Sequence, residues 1–204
     1  MVLWQLGGGV TANSQLWHNF RDTNEALRGL RINYWVDCGT LLGLVREGDI
    51  LGHDLDVDFG VFGVTKRQQR QFLTWMQALG FSLYRTYGVP KRGYEQRFKR
   101  GNSKVDIFYF YASGDNKLWH GSWWKHQHLI ISEFDRDVIL PTKEASFQGE
   151  LVRVPGRTED LLEARYGDWR TVQKKWRWYR DPPCIKPETL PPLREMEAYE
   201  RNRR

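Results

Sequence analysis

The chain has 204 residues, 40% of them hydrophobic and 27% charged, which excludes a disordered polymer or a fibrous repeat and leaves room for one domain with a substantial core. Lys and Arg number 31 against 25 Asp and Glu, a formal charge of +6; this favours anionic partners such as nucleotides, phosphorylated sugars, acidic polymers or nucleic acid without choosing among them. Cys38 and Cys184 are the only cysteines, so no disulfide framework is expected. With no signal-like start and no apolar run near the roughly 20 residues of a membrane span, the expectation is a soluble, cytoplasmic chain.

In chain order, the start "MVLWQLGGGV" has a glycine run at 7–10 that lacks the Lys-Ser/Thr of a phosphate loop and receives no role. Residues 13–30 carry Leu16, Phe20, Leu27 and Leu30 near one stripe, which predicts an amphipathic helix capped by Asn13 or Ser14. "INYWVDCGT" reads as a strand entering a tight turn at Gly39-Thr40, and "LLGLVREG" as a short helix or turn ended by Gly48. A strand follows over 55–62, then a helix over 65–79 with Thr65 as cap and Gly80 as stop.

"FSLYRTYGV" and "YEQRFKRG" predict strands around the turn "GVPKRG", and "SKVDIFYFY" another. "ELVRVPG" offers a late strand, and "RTEDLLEARYG" a short helix with Thr158 as cap and Gly167 as stop. The order implies an α+β fold with a mixed or antiparallel sheet and helices on one side. A domain over 1–180 is expected, followed at 181–204 by a Pro-rich, charged and partly disordered arm.

The chemistry concentrates in "GDILGHDLDVDFGV". Asp54, Asp56 and Asp58 stand at alternate positions, so a strand would set them in one row ~6.6 Å apart, facing away from Val57, Phe59 and Val61. Three ionised carboxylates in a row repel, and hard oxygen ligands on a rigid strand suit Mg²⁺ or Mn²⁺. An EF-hand needs Gly at the sixth position and Glu at the twelfth, where this chain has Phe59 and Thr65. A solvated acidic edge remains the alternative.

Asp106 sits inside the apolar run "KVDIFYF", either paired with Arg97 or brought beside the first carboxylates as a third ligand or proton acceptor. Gly39 permits close backbone approach, and Thr40 starts a turn whose free N–H groups favour phosphate. Arg46 is a phosphate candidate against pairing with Glu47 or Asp49. Lys91, Arg92, Arg97, Lys99 and Arg100 make a basic hairpin, either solvated or a lid over a diphosphate. His120, His126 and His128 with Cys184 offer a non-diagnostic zinc set, and "WHGSWWKHQH" offers core packing or an acceptor groove.

The stretch "YWVDCGTLLGLVREGDILGHDLDVDFGV" resembles the signature of the LicD/fukutin-related family: Gly-Thr-Leu-Leu-Gly, an Arg, then an Asp-x-Asp strand. "VDIFYF" is similar to its third-carboxylate strand, and "FQGELVRVPGRTEDLLEARYGDW" to its closing strand, helix and Tyr-Gly-Asp ending, so the resemblance covers roughly 14–170. Where the family has Pro-Trp-Asp-Asp, this chain has Gly52-His53-Asp54-Leu55. No anchor or added domain is expected, and a secretory-pathway role is accordingly not part of the expectation.

The resemblance implies a nucleotidyltransferase-like core, with Gly39 and Thr40 on the glycine turn, Asp56 and Asp58 as the metal pair and Asp106 as third carboxylate. Arg46, Lys91 and Arg97 are the expected phosphate contacts. It implies a metal-dependent phosphotransferase moving a phospho-alditol or phosphocholine-type group from a CDP-linked donor to a sugar or glycan hydroxyl. The alternatives are transfer of a nucleoside monophosphate from a triphosphate to a small molecule, protein or RNA end, and a non-catalytic nucleotide-binding protein of the same fold. Nucleic acid is the lesser candidate partner, since no RNA-binding module is recognisable.

Overall fold

The computed structural model describes residues 2–3, 14–114 and 116–202; Asn13 and the glycine run at 7–10 lie outside them. The first half of the chain contains β1 (Val2–Leu3), α1 (Ser14–Gly29), β2 (Asn33–Val36), α2 (Cys38–Arg46), β3 (Asp56–Phe62), α3 (Lys66–Ala78), β4 (Ser82–Val89) and β5 (Arg92–Arg100). There follow β6 (Ser103–Ser113), β7 (Lys117–Trp124), β8 (His128–Asp135), α4 (Arg136–Ile139), β9 (Lys143–Phe147), β10 (Glu150–Val154), α5 (Thr158–Tyr166) and α6 (Leu193–Arg201).

Alternation along β3 decides the architecture, because it sends Val57, Phe59 and Val61 to one face and Asp56 and Asp58 to the other. The apolar face receives α1, where Phe20 stacks on Phe59 at 5.4 Å between ring centroids. α3 covers the same face further along, with Phe72 edge-on to Phe98 of β5 at 5.6 Å. Its start has the expected capping box, in which the Thr65 hydroxyl accepts from the Gln68 N–H at 3.2 Å. Gly80, at φ +84, follows its end.

The main sheet has the order β2-β3-β6-β5-β4, and β7 continues from the far end of β6 into a hairpin with β8. β3 and β6 run parallel while the other pairs in this sheet are antiparallel, so the sheet is mixed and flanked by helices. The β7–β8 hairpin folds back over the second face. A Cβ on Gly121 would lie 2.6 Å from the Gly93 Cα, so only this glycine pair lets β7 approach β5 so closely. β9, β10 and β1 form a separate small sheet, tied to α1 where Asn24 Nδ2 donates to the Leu151 carbonyl at 3.0 Å.

Three local expectations are corrected. Asp37 is no strand residue: its carboxylate accepts from the Cys38 N–H at 2.8 Å and caps α2, so Gly39-Thr40 is that helix's first turn. Thr158 is the first residue of α5 rather than its cap, because its hydroxyl donates to the Pro155 carbonyl at 2.8 Å. The segment after 181 is not a loose tail. Ile185 bridges Ser132 on β8, and Trp124, Ile130, Tyr179, Ile185 and Met196 form a second small core. These anchors are too widely spaced to make a periodic pattern. No described helix is long and apolar enough to cross a membrane.

Candidate functional site

Parallel pairing sets Asp58 opposite Asp106, and the next strand sets Arg97 opposite Asp106. One row across β3, β6 and β5 therefore carries two carboxylates and a guanidinium. Arg97 holds Asp106 bidentately, Nε to Oδ1 at 2.6 Å and Nη2 to Oδ2 at 2.5 Å. Both Asp106 oxygens are thus engaged, and the residue is only 2% exposed.

Above this row lies a cavity of about 610 Å³, lined by Gly39, Arg46, Asp54, Asp56, Asp58, Glu95 and Arg97 among others. Asp54 belongs to the turn before β3, where its N–H donates to Leu51 at 2.9 Å, so the strand itself contributes only Asp56 and Asp58. A Cβ added to Gly39 would meet Asp54 Oδ2 at 3.0 Å and Asp58 Oδ2 at 3.7 Å. Two carboxylates therefore converge on the N-terminal turn of α2, and Gly39 makes room for them.

Burial, then the neighbouring Asp56, Asp106 and Asp54, push the Asp58 carboxyl well above the usual range. Burial and Asp56 push Asp54 up to about 6. Burial and Asp106 push Glu95 up to about 8. Desolvation and like charge act in the same direction at all three groups.

The turn of α2 is held from beneath. Arg165, from α5, donates through Nη2 to both oxygens of Asp37 at 3.0 and 3.2 Å, with both side chains buried. Asp37 in turn fixes Cys38, whose φ of +47 lies in the left-handed region and is held there by its surroundings. The Thr40 hydroxyl accepts the Asp58 N–H at 2.8 Å, which pins α2 to β3 and leaves Thr40 out of the cavity lining.

Other expected residues are dispersed. Arg46 lines the cavity but pairs with Glu47 at 2.8 Å and donates to the Trp169 carbonyl at 3.3 Å. Lys91 is exposed at the β4–β5 turn with φ +66 and does not line the cavity. The basic hairpin does not act as one lid, because strand alternation sends Arg97 to the cleft and Arg100 to the helix side, where it meets Asp22 at 2.6 Å.

His120 is buried beside Phe110 and Arg165, His126 stacks on Tyr87, and His128 Nε2 lies 2.9 Å from the Thr189 carbonyl. Among the described residues no three His, Cys, Asp or Glu side chains stand in a ligand-like group, these included. The carboxylates instead suit a hard cation held by one or two of them, with phosphate oxygens and water as its other ligands.

Sequence reasoning missed Glu95, Asp37 and Arg165. Arg165 did leave a signal: it shares an α5 face with the buried Leu161 and Leu162, and an arginine on an apolar stripe implies a buried partner.

The family described as "LicD/FKTN/FKRP, nucleotidyltransferase domain" matches residues 31–157, from just before β2 to just after β10. The chain belongs to this family. Within the matched span lie Asp54, Asp56, Asp58, Glu95 and Arg97, whereas Asp168, which also lines the cleft, lies beyond it. The chain is similar to ribitol-5-phosphate transferase FKTN of Mus musculus, 29% identical over 180 residues that cover 85% of this chain and 37% of that protein. It is also similar to ribitol 5-phosphate transferase FKRP of Mus musculus, 24% identical over 155 residues covering 69% of this chain and 29% of that protein. It thus spans well under half the length of either relative. Among solved structures it is similar to ANT(2")-Ia in complex with adenylyl-2"-tobramycin, with a TM-score of 0.46, 13% identity and coverage of 92% and 87% of the two chains.

Proposed function

We propose that this chain is a divalent-cation-dependent phosphotransferase that moves a phospho-alditol or similar group from a CDP-linked donor to a sugar or glycan hydroxyl. The observation that carries the reading is the convergence of Asp54 and Asp58 on the α2 N-terminus, in a cavity that Arg97 and Arg46 also line. The names of the LicD-family relatives supply the phospho-alditol.

Asp56 and Asp58 are the residues that would hold Mg²⁺ or Mn²⁺. The cation would neutralise the donor's diphosphate and stabilise charge on the departing nucleotide. Gly39 brings the first turn of α2 to the cavity, where a helix N-terminus favours an anion. Asp106 holds Arg97 in place, and Arg97 offers its remaining donors to a phosphate oxygen.

The acceptor oxygen attacks the phosphorus that carries the alditol. A new O–P bond forms, the bond from that phosphorus to the bridging oxygen breaks, and the bridging oxygen leaves with the electron pair as part of CMP. Glu95 lines the cleft and is buried, and its carboxylate takes the hydroxyl proton; a group titrating near the working pH suits that transfer.

Incubating the protein with Mn²⁺ and a panel of CDP-linked donors, with and without glycan acceptors, tests the assignment. CMP release that depends on acceptor and is lost in Asp56→Ala is expected. Pyrophosphate released from a nucleoside triphosphate, with no CMP from any CDP donor, would replace this reading with nucleotidyl transfer.

A further inference from the structure

Part of the cleft wall comes from beyond residue 157, where the family match ends. There Tyr166, Trp169, Trp176 and Trp178 line the same cavity as Asp56 and Asp58. Trp17, Trp35, Trp124 and Trp169 are all at most 6% exposed, whereas Trp178 is 48% exposed and Val172, on the same wall, 65%. Trp178 packs edge-on against Tyr179, at 5.7 Å and 89°, so its ring faces are not covered by that neighbour. Trp176 is half-buried and leans on Tyr166 at 5.4 Å. Large aromatic faces left in a cleft are unfavourable in water unless a ligand covers them.

Two further features narrow the occupant. Trp124 and Trp169 also line the cavity, but their indole N–H groups are buried away from it, so these rings offer it apolar surface rather than donors. Asp54, Asp56 and Glu95 line the same cavity and offer acceptors to hydroxyl groups. Cation–π partners do not consume the platform, since Arg170 covers Trp169 at 4.2 Å and Lys125 covers Trp124 at 4.4 Å, leaving Trp176 and Trp178. A neutral ring with an apolar C–H face and many hydroxyls meets all these conditions together.

We propose that the segment carrying Trp176 and Trp178 is the acceptor subsite, where a pyranose ring of a glycan stacks on those indoles and turns one hydroxyl toward Asp56 and Asp58. The proposal rests on the phosphotransferase reading for the direction of that hydroxyl, but not for the binding itself. Acceptor choice is then set by residues outside the part of the chain that matches the family.

The test uses the full chain on a printed glycan array, with Trp176→Ala, Trp178→Ala and Trp176→Phe, and a parallel thermal-shift titration with CDP and Mn²⁺. Wild type should retain neutral glycans. Each alanine variant should weaken the best glycan by about tenfold or more, and the phenylalanine variant should recover most of the loss because it restores an aromatic face. The CDP shift should persist in all three. No retained glycan on wild type, or glycan binding unmoved by the alanine variants, would overturn the subsite. Joint loss of glycan and CDP binding in variants whose melts match wild type would also overturn it and assign the wall to the nucleobase. If wild type shows no CDP shift yet binds glycans through Trp176 and Trp178, the subsite stands and the donor reading fails.

Discussion

The two walls of the cleft are built by opposite means. On one side, Asp56, Asp58, Glu95 and Arg97 project from paired strands at fixed register, and the α2 turn beside them is clamped by the buried Arg165–Asp37 pair. On the other, the wall from Trp169 to Trp178 has no helix or strand, and much of it faces solvent. Groups that must neutralise charge at a reacting phosphorus need placement to within a fraction of an ångström, which rigid elements supply. Surfaces that select a partner tolerate variation, and irregular segments carry it.

The sharpest way to break this contrast is Arg165→Met, which leaves Asp37 buried without its counter-charge. Loss of one partner of a buried pair costs about 3–5 kcal/mol, so thermal denaturation should move down by on the order of 10 °C. A shift of a degree or two would mean that the carboxylate wall is not anchored from beneath. Asp58→Asn should lower transfer by about 100-fold or more while the cation-free melt stays level or rises, because one source of like-charge repulsion is gone. A lower melt would make Asp58 a structural residue.

A subtler probe is pH. Glu95 binds its proton more tightly in the folded chain, with its pKa moved from 4.5 to about 8. The folded state therefore holds more protons than the unfolded one across that window, and stability should fall as pH rises from about 5 to about 8. Melts of Glu95→Gln over this range should be flatter than those of wild type, and an unchanged slope would remove Glu95 from the titrating cluster. The smallest effect belongs to a site away from both walls. Thr65→Ala removes the α3 cap at a cost of about 1 kcal/mol, and chemical denaturation should register it while CMP release is unchanged.

Much of this was legible in the sequence wherever local chemistry dictates structure. The Thr65 cap, the stops at Gly80 and Gly167, and the inward run Val57, Phe59, Val61 each follow from a few adjacent residues, as do the element types on either side of Asp56 and Asp58. What remained hidden depends on long-range pairing. Arg165 and Asp37 are 128 residues apart, and nothing local joins them. The β7–β8 hairpin was obscured because its Trp- and His-rich strands have no clean alternation, and because Lys125 and His126 make its turn with positive φ values of +49 and +64 where glycine is the usual signal. Asp106 was read as either ion-paired or facing the cleft, and only the register of β5 on β6 shows both of its oxygens turned to Arg97.

The side-by-side run of β3 and β6 also limits how the gene can change length. One amino acid inserted between Asp56 and Asp58 would turn every later side chain of β3 over, sending Phe59 and Val61 into the cleft and Asp58 against Phe20. Such an insertion would abolish the chemistry and the core together, so indel scanning should find this strand the least forgiving stretch of the protein.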